Sequence, residues 1–163
     1  GGIASPLIIH WPKGIASKGK LSNQPSHLID VMATCIDIAQ LNYPKEYHQN
    51  LIQPFEGKSL KPAFTNKPIE RAFIFWEHEG NRAIRVANWK LVSRTQKNKA
   101  FGAEDEAAWE LYDMDTDPTE MKNLAKTYPD KVTDFAQLWE KEAQRTSAKP
   151  WPWNNKKQSK NQE

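Results

Sequence analysis

From Ala72 to Val92 the chain reads as short strands rich in aromatic and β-branched residues, broken by the polar tip Glu77-His78-Glu79-Gly80-Asn81-Arg82. Successive side chains on a strand point to opposite faces, so these strands have one face to bury and one to show. Further strands are expected near Ala108 to Asp113, with Ala72 to Glu77, Arg82 to Ala87 and Lys90 to Ser93 before them. Apart from the polar loop Thr95 to Ala107 their connections are short, which predicts antiparallel neighbours. Asp117-Pro118 then ends the last strand, because proline cannot donate to a ladder.

Tyr128-Pro129-Asp130 opens a helix in whose first turn proline is tolerated. Val132, Phe135, Ala136, Trp139 and Ala143 recur at helical spacing, so one face of it should pack on the sheet through two aromatic rings. Residues 69–148 thus predict a small α+β unit. Residues 149–163 are polar and proline-broken and are expected to be disordered, with docking of Trp151 and Trp153 on the body left open.

Residues 1–68 read differently. The apolar run from Pro6 to Trp11, closed by Pro12 and Gly14, predicts a buried strand ending in a turn. Asp30 is placed to cap a helix running to about Gln40, with Val31, Met32, Cys35, Ile36 and Ala39 on its apolar face and Asp30, Thr34 and Asp37 opposite. A strand and a one-faced helix imply a sheet built mostly by residues elsewhere. Asn42 to Pro68, with prolines at 44, 54, 62 and 68, predicts a long irregular connection carrying a turn at Gly57 and a helical turn from Ser59 to Phe64. The domain boundary is expected there. Without an initiator Met, the chain reads as a piece of something longer.

Lys plus Arg number 23 and Asp plus Glu 20, a balance that does not point to nucleic acid. No run of about 18 apolar residues is present to span a membrane. Cys35 is the single cysteine, so neither an intrachain disulfide nor a cysteine zinc site can form, and its apolar neighbours predict burial.

His10, His27, His48 and His78 show no metal-ligand spacing, and no phosphate-cradling loop or nucleophile elbow is present. His10 reads as structural and His48 as solvated. His78 draws attention because Glu77 and Glu79 flank it, a setting that favours the imidazolium, while Asn81 and Arg82 add donors for an anionic ester or sugar hydroxyls. From spacing alone, a solvated hairpin tip is the favoured account. The acidic turn Asp113, Asp115, Asp117, Glu120 lacks the glycine of a calcium loop and reads as a turn.

Several phrases, taken in order, carry a resemblance: residues 1–14, His27 to Ala39, Phe55 to Leu60, Trp76 to Ala83 and Trp109 to Ala125. Together they resemble the C-terminal third of bacterial arylsulfatases, formylglycine-dependent enzymes of the alkaline-phosphatase-like superfamily. The resemblance implies that residues 1–68 hold the last strand and helix of the α/β catalytic domain. The remainder would be the C-terminal subdomain, a four-stranded antiparallel sheet with a packed helix.

It further implies a periplasmic or secreted enzyme hydrolysing sulfate esters, with formylglycine as nucleophile and calcium as cofactor. Cys35 does not match the formylglycine motif, and the calcium ligands are not in this sequence. Ala4 stands where family members often carry Arg, and Ala33 where they often carry Pro. This chain would supply substrate contacts from His78, Asn81 and Arg82 to a sulfated small molecule or glycan, beside the missing N-terminal catalytic domain. Alternative readings are a phosphonate or phosphate ester hydrolase of the same superfamily and a non-catalytic module binding sulfated glycans.

Overall fold

A computed structural model describes residues 5–16, 18–94 and 108–149. The chain divides into two units, Gly1–Arg71 and Ala72–Glu163, where the sequence placed a boundary after residue 68.

The second unit is a four-stranded antiparallel sheet in the order β3 (Ile74–His78), β4 (Asn81–Val86), β5 (Trp89–Ser93), β6 (Glu110–Asp113), followed by helix α2 (Pro129–Arg145). Register aligns Phe75 with Ile84, Ile84 with Leu91 and Leu91 with Leu111, a row running straight across the sheet. Ile84, Leu91, Leu111, Trp139 and Ala143 are fully buried and form the core, with Val132, Phe135 and Ala136 of α2 packed against it. The apolar stripe read from α2 is therefore the face on the sheet. Trp139 stacks on Phe75 at 5.4 Å and meets Trp109 edge-on at 6.1 Å. Its indole N–H donates to the carbonyl of Trp76 at 3.0 Å, so the polar handle of the ring is satisfied inside the core.

The opposite face of the sheet is closed in part by the segment after β6. The Lys90 ammonium pairs with Glu120 at 2.5 Å, and Asn123 accepts from the Leu111 N–H at 3.1 Å. Tyr112 donates to Glu110 at 2.6 Å; burial first, then this acidic partner, pushes its phenol well above the ordinary tyrosine range. The predicted loop Thr95 to Ala107 lies outside the described residues, as do Trp151 and Trp153.

The first unit is held by helix α1 (Asp30–Ile38) and a 3₁₀ turn (Lys61–Thr65). Three sequence expectations are corrected here. Residues 5–11 are not a strand, and Leu7, Ile8 and Ile9 are exposed; a strand exists only where a neighbour takes its N–H and C=O groups, and no described residues supply one. Cys35 is exposed rather than buried, as are Val31 and Met32, because α1 turns Asp30, Ala33 and Thr34 inward instead of its apolar stripe. The long connection is also less irregular than its prolines implied, since β1 (Glu46–Tyr47) and β2 (Asn50–Leu51) pair as a small hairpin. Among the histidines expected outside the site, His10 and His48 are both exposed.

Asp30 explains the inward turn. Its carboxylate accepts from the His27 N–H at 2.7 Å, from the Lys58 N–H at 2.8 Å and from the Arg71 guanidinium. It does not cap its own helix, which has Ile29 at the N-cap position. Thr34 donates to the Asp30 carbonyl at 2.7 Å and accepts from the Leu60 N–H at 2.9 Å, tying the same two segments again. Gly57 is required by this approach, because a Cβ there would sit 2.1 Å from the Ile29 carbonyl oxygen. Burial works to raise the Asp30 pKa, but the hydrogen bonds from Arg71, Lys58 and His27 outweigh it and hold the carboxyl below its ordinary value.

Candidate functional site

The β3–β4 hairpin carries the polar tip. Its two turn residues, Glu79 (φ 50°) and Gly80 (φ 80°), both lie in the left-handed region, the pattern of a type I′ turn whose twist suits the flanking strands. Gly80 takes that conformation freely, while Glu79 takes it at a cost. The turn is closed by side chains: the Gly80 N–H donates to Glu77 at 2.9 Å, and the Asn81 amide donates to the His78 carbonyl at 2.9 Å.

His78 and Asn81 face each other as the last pair of the ladder. The His78 side chain is 85% exposed, with its Nε2 at 3.9 Å from Glu79. An imidazole and a carboxamide thus stand at the hairpin tip, groups able to donate or accept hydrogen bonds.

Arg82 lies elsewhere. It pairs with Glu77 across the ladder, one position in from the tip, and so belongs to the face that bears Phe75 and α2. It is 6% exposed. Its guanidinium lies 4.2 Å from the ring centre of Trp109 and 5.4 Å from that of Trp139, and it donates to Ser93 at 2.9 Å. The structure therefore brings His78 and Asn81 together and sets Arg82 beneath them in the aromatic core. Sequence reading missed Ser93, Trp109 and Trp139 as partners of Arg82. The signal available was the strand alternation itself, which separates residue 81 from residue 82 by a sheet face.

The acidic turn uses its carboxylates on its own chain. Asp113 accepts from the Asn88 amide at 2.9 Å and the Asp115 N–H at 3.1 Å, and Asp117 accepts from the N–H groups of Met121 and Lys122 at 3.0 and 2.7 Å. These hydrogen bonds hold both carboxyls below the ordinary range. Among the described residues no three His, Cys, Asp or Glu side chains converge to hold a metal ion. Among the same residues no helix is long and apolar enough to cross a membrane.

Comparison with known proteins decides the family. The family model described as N-sulphoglucosamine sulphohydrolase, C-terminal, matches residues 2–147. The chain belongs to the sulfatase C-terminal family. It is 31% identical over 144 residues to an uncharacterized sulfatase of Schizosaccharomyces pombe, covering 85% of this chain and 24% of that protein. It is 29% identical over 150 residues to an N-acetylglucosamine-6-O-sulfatase of Bacteroides thetaiotaomicron, covering 83% of this chain and 24% of the relative. The sulfatase chain thus spans about a quarter of the length of these relatives.

Among solved structures, Ps i-CgsB in complex with k-i-k-neocarrahexaose superposes with a TM-score of 0.59 at 23% identity, covering 82% of this chain and 27% of that one. At that identity the likeness speaks for the fold. It agrees with the α+β architecture of four antiparallel strands and a packed helix expected of a sulfatase C-terminal subdomain.

Proposed function

We propose that this chain is the C-terminal portion of a sulfatase that hydrolyses sulfate esters of saccharides to the free hydroxyl and sulfate, and that it serves the substrate side of that reaction. The observation that carries the reading is the family match over residues 2–147 in a chain about a quarter the length of its relatives. Support for a saccharide comes from the relatives, one named as acting on N-acetylglucosamine 6-O-sulfate and one as ulvan-active. The formylglycine nucleophile and a calcium ion belong, in this reading, to a preceding catalytic domain of a periplasmic or secreted enzyme. The exposed apolar stripe of α1, with Val31 and Met32 open to water, supports such a domain as the partner of the first unit.

Within this chain the contribution falls to His78 and Asn81. An exposed imidazole beside a carboxamide can hydrogen-bond a sugar hydroxyl or a sulfate oxygen without taking part in bond breaking. Arg82 contributes from below the tip.

The test uses two proteins. The 163-residue chain is expected to release no sulfate from an aryl sulfate or a sulfated disaccharide, with or without calcium. The longer protein is expected to release it from both, and His78→Ala in that protein is expected to raise KM for the disaccharide about tenfold, the loss of about one good polar contact. Turnover by the chain alone overturns the division of labour. Absence of sulfate release from the longer protein overturns the sulfatase reading, and saturable binding of the disaccharide in that case favours a glycan-binding module.

A further inference from the structure

We propose that Arg94 completes a polar row with His78 and Asn81, and that its guanidinium takes a second anionic substituent of the saccharide, a sulfate or a carboxylate other than the sulfate being cleaved. The saccharide rests on the sulfatase reading above; the row rests on the register of the sheet.

β4 lies between β3 and β5. In the first ladder Asn81 is the partner of His78, and in the second Ser93 is the partner of Arg82. β5 ends at Ser93, and continuing its ladder by one residue sets Arg94 beside Asn81. The three residues therefore follow one another along a line across the end of the sheet. Neighbouring strands lie about 4.8 Å apart, so this line is about 10 Å long.

Alternation assigns the three side chains to one face. Arg82 and Ile84 belong to the face that bears α2, so Asn81 and its partner His78 belong to the other. Residue 94 follows Lys90 and Val92 at steps of two, and Lys90 stands opposite Tyr112 on that second face. The charge of Arg94 is felt there, since it opposes the upward push that burial and Glu110 give the Tyr112 phenol. His78, Asn81 and Arg94 are all exposed.

A guanidinium offers a planar fork that matches two oxygens of a sulfate or a carboxylate. Arg82, the cation that the sequence assigned to the tip, is 6% exposed on the other face, whereas Arg94 opens to solvent. The neighbouring carboxylates give the row a direction. Glu77 lies on the α2 face and accepts from the Gly80 N–H, and Glu110 is engaged by the Tyr112 hydroxyl. Glu79 stands 3.9 Å from the His78 imidazole, at the end of the row away from Arg94. Negative charge is thus favoured at the Arg94 end, and a neutral hydroxyl at the His78 end. The sulfate being cleaved is met, in the sulfatase reading, by the preceding catalytic domain, which leaves the row to another substituent.

The experiment assays the longer enzyme with a monosulfated disaccharide, with the same disaccharide carrying a second sulfate, and with a counterpart carrying a uronate carboxylate instead. Arg94→Gln is expected to raise KM for the two doubly charged substrates about tenfold relative to the monosulfated one, with kcat within about twofold. Each protein serves as its own reference across substrates, so a general loss of folded enzyme does not imitate this result. Added sodium chloride should erode the preference of the parent for a second anion and leave Arg94→Gln unmoved. A larger loss for the disulfated substrate names sulfate as the group bound, and a larger loss for the uronate names carboxylate.

An equal change of KM for all three substrates, or no change, overturns the role of Arg94. If the longer protein releases no sulfate from any of them, the sulfatase reading fails, and the row is decided on the 163-residue chain. There, the disulfated disaccharide is expected to shift the Asn81 side-chain amide and Arg94 Nε–H resonances saturably, and to leave the Asn81 amide unshifted in Arg94→Gln. Absence of those shifts in the parent chain, or their persistence at Asn81 in the variant, overturns the row.

Discussion

A carboxylate with no solvent exposure persists at Asp30 because three donors converge on it from His27, Lys58 and Arg71. Removing one member of a buried ion pair strands the other, at a cost of about 3–5 kcal/mol. Asp30→Ala is therefore expected to melt the α1 region of the chain, read as loss of amide protection at Ala33, Thr34 and Leu60 in hydrogen exchange. The pH dependence follows from the lowered pKa of the folded state. The contribution of Asp30 is fully present above the ordinary carboxylate value of about 3.9. It is lost as pH falls through the depressed folded value, because the unfolded chain then binds a proton that the folded one refuses. Protection at those amides should fall along that same acid limb and be flat from there to neutrality. Sequence reading found Asp30 but gave it to the wrong partner. Lys58 and Arg71 stand 28 and 41 residues away, and such polar convergence leaves no periodicity to read.

At the scale of elements, periodicity was a sound guide wherever burial enforces it. β3 to β6 and α2 were all foreseen, with ends shifted by a residue or two, because one face of each must reach Trp139 and its neighbours. The hairpin of β1 and β2 was not foreseen because all four of its strand residues are exposed, so no alternation marks it. Its turn also lacks the usual Asn-Gly signal: His48 (φ 47°) and Gln49 (φ 65°) take the left-handed positions instead. Seating α2 on the sheet depends on Trp139. Trp139→Ala is expected to cost about 3–5 kcal/mol and Trp139→Phe about 1–2, the latter chiefly from losing the indole hydrogen bond to the Trp76 carbonyl. Urea midpoints followed by far-ultraviolet circular dichroism would show the ordering, and equal loss in the two variants would rule out the hydrogen bond as a contributor.

For the whole molecule the two units differ in how far each closes its own core. All five residues of the fully buried cluster lie in the second unit. Among the described residues, twelve of the fourteen exposed large apolar side chains lie in the first, so only the second has the makings of an independent fold. Residues 72–149 alone are expected to unfold in one cooperative transition, and residues 5–71 alone to show none. A sharp transition in the smaller piece would remove this distinction. The sequence indicated the asymmetry through a helix whose apolar stripe had no sheet to meet. It did not reveal that Asp30, Ala33 and Thr34 would be the side turned inward. One practical result follows from the outward side of α1. Cys35, the only thiol in the chain, is exposed on α1, so in the 163-residue chain a maleimide dye can be attached at one defined point. That point lies in a different unit from the hairpin bearing His78, which leaves the hairpin chemically untouched by the label.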